Sequence, residues 1–191
     1  MNIFVTDLCP VKSAQEQCDK HVVKMVLESA QMLSTAWREY SSEYADEHEL
    51  YKTAHLNHPC SIWVRLAREN YQWLYDHFIA LCNEYTHRYG KTHASTRLTE
   101  PLKQMPFKPG VVLEQPYDFA LAMPDEYKSE NAVSSYRNYL TNEKQHFAKW
   151  EKDPSRKPTW WNALWPLLEK PLKKTQTTAR TPAWILLVGI C

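Results

Sequence analysis

The sequence is poor in glycine. Only Gly90, Gly110 and Gly189 occur in 191 residues, against an ordinary share of about 7%. A Gly-rich phosphate loop or a dinucleotide fingerprint needs clustered glycines and is excluded. Sandwiches and barrels with many tight turns are disfavoured for the same reason, so helices are the first expectation. Paired cysteines are missing as well. Cys9, Cys18, Cys60, Cys82 and Cys191 are odd in number and contain no C-x-x-C spacing. With no recognisable secretory leader, that pattern predicts free thiols in a reducing cytoplasm. The longest apolar stretch, residues 183–191, is far too short to span a bilayer. An excess of either charge is lacking too, with a net charge of +1.

What is present is unevenly placed. Residues 1–100 carry 10 Lys and Arg against 13 Asp and Glu, whereas residues 101–191 carry 13 against 9. Within residues 144–180 the basic excess is 9 to 3, and the same stretch holds Trp150, Trp160, Trp161 and Trp165. Basic residues interleaved with aromatics can attract phosphates and stack on bases, or form a solvated surface.

Periodicity predicts three main helices joined by long Pro-rich connections. Residues 1–12 read as an extended arm. Ser13 with Glu16 has the spacing of a capping box, and helix one follows to Tyr40 with Val22, Met25, Met32, Leu33 and Ala36 on its apolar face. Residues 41–56 read as an acidic loop with one helical turn. Pro59 suits a first helical position, and helix two is expected from Cys60 to Tyr89, closed by Gly90. Prolines 101, 106, 109, 116 and 124 prevent one regular element over 91–127. Ser129 with Asn131, or Asp125 with Lys128, could cap helix three, expected over 130–150. The expected fold is all-α, a single compact domain over residues 1–165 with a C-terminal extension over 166–191.

Four constellations could carry chemistry. On helix one, His21, Lys24 and Glu28 fall within one arc at the rim of the apolar face, where a carboxylate can act as acid or base and a lysine as a nucleophile. The same residues could be a boundary stripe with Lys24 paired to Glu28 at i, i+4. On helix two, Asn70, His77 and Glu84 recur every seven residues, with Arg88 four further on. Polar groups inside an apolar face form either a pocket wall or a hydrogen-bonded interhelix ladder. His55 and His58, near His48 and Glu49, read as capping or loop histidines, and no metal or cofactor is expected. Arg156, Lys157, Trp160 and Trp161 could contact phosphate and base, or anchor the strap to the core.

Taken in order, these residues resemble the phage pyrimidine-dimer DNA glycosylases of the T4 endonuclease V type. Helix one of that family carries an Asp-x-His motif and a catalytic Glu seven residues after the His, matched here by Asp19, His21 and Glu28. The second helix looks like Tyr75-Asp76 through Cys82 to Arg88-Tyr89-Gly90. The family's Arg-Pro-Thr-Trp segment is matched by Pro158-Thr159-Trp160, with Lys157 or Arg156 for the Arg. The resemblance covers roughly residues 1–161 and implies an all-α glycosylase that flips a nucleotide out of lesion-containing double-stranded DNA. It implies attack on the sugar by a backbone α-amine assisted by Glu28, with His21, Lys20 and Lys24 near the sugar-phosphate; in this chain the Met1 amine, a lysine such as Lys20 or Lys24, and a Glu28-activated water are the alternatives for the nucleophile. Asn2, Asp19, His77, Arg88, Arg156, Lys157, Trp160 and Trp161 are the expected substrate contacts.

The expected function is therefore excision of a damaged or modified pyrimidine, with strand-cleaving AP-lyase activity as its extension. The rival is a non-catalytic nucleotide or modified-base binder on the same scaffold, favoured by the sparse basic charge before residue 100. A monomer acting in the cytoplasm is expected, that of an infected host if the chain is phage-encoded.

Overall fold

Helix boundaries follow from where backbone donors and acceptors find partners. The computed structural model describes residues 1–107 and 118–162, so the expected extension over 166–191 lies outside the described residues. Residues 1–9 form the predicted extended arm, but it is threaded through the interior: Ile3, Phe4 and Val5 are all buried. Pro10 then opens helix α1 (Pro10–Gln15). Ser13 lies inside that helix, its hydroxyl donating to Phe4 O at 2.9 Å and accepting from Thr6 N at 3.1 Å. The expected capping box is therefore corrected: the arm has taken the hydroxyl. Helix α2 (Asp19–Tyr40) begins separately, with the Asp19 amide donating to Lys149 O at 2.8 Å.

The acidic loop forms one short helix, α3 (Ser42–Glu47), capped by Ser41. The expected helix two is also divided. Helix α4 (Pro59–Leu66) starts at the predicted proline, Ala67 is extended at φ −146° and ψ 154°, and α5 (Arg68–Tyr89) follows. The break is stable because the Asn70 side-chain amide donates to Trp63 O at 2.8 Å, covering a carbonyl at the end of α4. Gly90 closes α5 in the left-handed region, φ 63°, its amide donating to Thr86 O at 2.8 Å. Short helix α6 (Thr99–Lys103) follows a 3-10 turn at Ala94–Leu98. Helix α7 (Ala132–Glu143) is capped by Asn131, whose Oδ1 accepts from Ser134 N at 2.9 Å. It ends seven residues before the expected limit at Trp150. That indole instead turns inward, with Nε1 donating to Glu16 O at 3.2 Å.

The fold is all-α, with no β-strand among the described residues. The long helices α2 and α5 pack together, α1 lies on α5, and one continuous core runs from Ile3 to Trp160. No described helix is long and apolar enough to cross a membrane. Cys18, Cys60 and Cys82 are free and buried.

Candidate active site

The buried arm delivers its first two residues to Glu28, on the third turn of α2. The Asn2 amide donates to Glu28 Oε2 at 2.9 Å, and the Met1 α-amine lies 3.7 Å from the same oxygen. Lys24 Nζ reaches Glu28 Oε1 at 3.1 Å. The Glu28 side chain is only 10% exposed, whereas Lys24 is 67% exposed. A shielded carboxylate thus has a primary amine at one oxygen and a solvent-facing lysine at the other. The Met1 side chain is 1% exposed, and its sulfur accepts from Ser61 Oγ at 3.5 Å. Burial of that side chain anchors the end of the arm and leaves its amine at the carboxylate.

His21 sits behind this pair. Its ring stacks on Phe4 at 4.5 Å and meets Phe147 edge-on at 5.4 Å. Lys20 Nζ lies 5.2 Å over the other ring of that pair, Phe147. Burial, and then the charges of Lys144 and Lys24, push the His21 pKa down to about 4. His77 is fully enclosed, with Nδ1 2.9 Å from Pro10 O and its ring stacked on Trp73 at 5.0 Å, and burial likewise lowers it to about 4. Both rings are neutral at pH 7. Below pH about 6.5 the unfolded chain binds protons that the folded chain refuses. Stability is therefore complete above that pH and falls as pH drops toward 4, by on the order of 3 kcal/mol per ring. Thermal unfolding followed from pH 7 to 4 should show a steep fall in Tm, shallower in His77→Asn. An equal slope in the variant would remove His77 from the explanation.

The remaining candidates gather in a second network. Arg88 donates to Glu84 Oε1 at 2.8 Å, Asp19 Oδ1 at 3.0 Å, Gln17 O at 2.9 Å and Gln15 O at 2.8 Å. Asp19 Oδ2 accepts from the amides of Glu151 and Lys152, and Arg156 Nε donates to Glu84 Oε1 at 3.0 Å. Trp160 is buried with Nε1 2.9 Å from Glu16 Oε2, and Trp161 packs edge-on against Trp150 at 4.7 Å. Asp19, Arg88, Arg156 and Trp160 thus tie the strap to α1, α2 and α5, the arrangement of a ladder and anchor. Lys157 is exposed. A groove of about 1030 Å³ runs along α5 past Pro10, Trp73 and Asp76, and Glu28 does not line it. Among the described residues, no group of three His, Cys, Asp or Glu side chains is placed to hold a metal ion.

A family model described as pyrimidine dimer DNA glycosylase matches residues 1–97. The chain belongs to this family. No curated protein and no solved structure matches it. The matched span runs from the arm to the 3-10 turn after α5, so it contains Met1, Asn2, Lys24 and Glu28 and excludes α7 and the strap.

The family span also contains three residues that the sequence reading did not place at Glu28. His58 caps α4, its Nδ1 accepting from the Cys60 amide at 3.2 Å. Burial lowers its pKa, the Met1 amine and His55 lower it further, and Glu28 raises it, which sets the ring within the field of the pair. Ser61 and Cys60 follow on the same turn and contact Met1 and Asn2. Pro59 marked that turn in the sequence; nothing in the sequence marked its approach to the arm.

Proposed function

We propose that this member of the family is a DNA N-glycosylase whose nucleophile is the α-amine of Met1 and whose acid–base group is Glu28. The observation that carries the reading is the amine held 3.7 Å from a shielded carboxylate by a buried methionine side chain. In the proposed sequence the neutral amine forms a bond to C1′ of the flipped nucleotide. The glycosidic C1′–N bond breaks, and the departing base takes up one of the two protons of the attacking nitrogen. Glu28 accepts the other and passes it to the opening sugar ring oxygen. The product is an imine between C1′ and the chain. Loss of a C2′ proton with departure of the 3′ phosphate from that imine gives the strand break of an AP lyase.

Lys20 and Lys24 present exposed ammonium groups on the α2 face beside Glu28, suited to flanking phosphates. Exposed Val23 and Leu27 lie on either side of Lys24 along α2, suited to an unstacked base step. The test is borohydride reduction during incubation with duplex DNA carrying a pyrimidine dimer. An irreversible adduct mapped to Met1 is expected. An adduct on Lys24 or Lys20 would transfer the nucleophile's role, and base release with no adduct would make water the nucleophile. Neither adduct nor base release, with salt-insensitive binding of a free nucleotide, would favour the binding protein.

A further inference from the structure

The Asn2 side chain is the hub of a buried hydrogen-bond cluster that has no part in the chemistry just described. Its Nδ2 donates to Ala122 O at 2.9 Å. Its Oδ1 accepts from the Ile3 amide at 2.8 Å, the Tyr136 hydroxyl at 3.0 Å and the Cys60 thiol at 3.6 Å. The Tyr136 hydroxyl has a single proton, which it shares between Asn2 Oδ1 and Ala120 O at 2.6 Å, and it accepts from the Ala122 amide at 3.4 Å. Tyr136 itself is fully buried, its ring edge-on to Phe4 at 6.2 Å. Burial raises both its hydroxyl and the Cys60 thiol, the latter to about 11, so both stay protonated as donors at neutral pH.

We propose that Tyr136 is a positioning residue which, through the Asn2 side chain, sets where the Met1 α-amine stands against Glu28. The inference rests on the glycosylase reading for its catalytic consequence, but its geometric content is separate. Asn2 has two ends. Its side chain is clamped by Tyr136, Ala122 and Cys60, and its backbone amide is bonded to Glu28 Oε2. The peptide unit that joins Met1 to Asn2 therefore has both flanks restrained, and the amine has little freedom to swing away from the carboxylate. Three parts of the chain meet at this point: the arm, the start of α4, and α7 with residues 120–122. The last of these lies outside the span matched by the family.

A purely structural role for the hydroxyl would lower thermal stability and leave the surviving folded molecules unchanged. A positioning role predicts altered amine chemistry in the folded protein. Tyr136→Phe keeps the ring and its packing and removes only the hydroxyl. Acylation of the full-length protein by a small neutral reagent at fixed pH, with the α-amine product quantified by mass spectrometry, reads how firmly the amine is held without DNA. An amine released from its place against Glu28 is more open to the reagent, so the variant should acylate about threefold faster or more. In single-turnover reactions on dimer-containing duplex, the rate of the trapped adduct should fall about tenfold or more, with the KM for DNA unchanged. Asn2→Ser should reproduce both changes, and the double variant should be no worse than the single ones, because the residues act as one unit.

An unchanged acylation rate in folded Tyr136→Phe and in Asn2→Ser overturns the clamp. A raised acylation rate in the variants with no adduct even in the wild-type chain supports the clamp and overturns the glycosylase reading. Should Tyr136→Phe fail to fold, Asn2→Ser carries the same measurement.

Discussion

Glu28→Gln is expected to reduce base release by a factor on the order of 10²–10⁴, the range over which positioned acids and bases act, while leaving the helical circular dichroism intact. Glutamine matches the carboxylate in shape and can still accept from the Asn2 amide, so the arm stays docked. It cannot take a proton from the Met1 amine, and it no longer draws Lys24 by charge. The loss should therefore fall on the bond-breaking step in single-turnover kinetics and leave the affinity for lesion DNA within a few-fold. Full activity in Glu28→Gln would remove the carboxylate from the mechanism and with it the reason to regard the arm's docking as catalytic.

Arg88→Met is expected to lower the Tm by about 10 °C, without touching the residues around Glu28. The guanidinium is enclosed and satisfies two carboxylates and two backbone carbonyls. Removing one partner of a buried ion pair leaves charge uncompensated and costs about 3–5 kcal/mol, and about 2–4 °C of Tm accompanies each kcal/mol in a chain of this size. Adding Glu84→Gln and Asp19→Asn should recover part of the loss, because those substitutions discharge the orphaned partners. A Tm within about 3 °C of wild type would mean that water or Arg156 replaces the guanidinium at little cost.

Much of the candidate site's local placement was legible in the sequence. Glu28 seven residues after His21 has a local, helical cause: the spacing places both on one side of α2, at the edge of its apolar stripe. Pro59 and Gly90 are backbone constraints that act on their own residues, and both mark helix ends where expected. The breaks at residues 16–18 and at Ala67 were not legible, since each depends on partners elsewhere: Lys149 for the start of α2, and the Asn70 amide folded back on Trp63 at the second break. The seven-residue line of Asn70, His77 and Glu84, extended by Arg88, was visible as a pattern, but it resolves into separate duties. Asn70 covers a helix end, His77 meets Pro10, and Glu84 with Arg88 binds the strap. Asn2 was expected as a substrate contact, and its clamp at Glu28 was not legible, because its partners lie 26, 58, 120 and 134 residues away.

That last separation has a bearing on how the molecule comes into being. Contacts across such distances close only after the entropy of a long intervening loop has been overcome, and they form late in folding. The helix carrying Glu28 can form early, but its amine partner is clamped only once residues 120–136 have been synthesised and docked. A partly made or C-terminally truncated chain would hold the carboxylate and leave the amine unplaced. Under the proposed mechanism, the paired amine and carboxylate therefore come together only with completion of the fold, and a partial chain has the acid without its nucleophile.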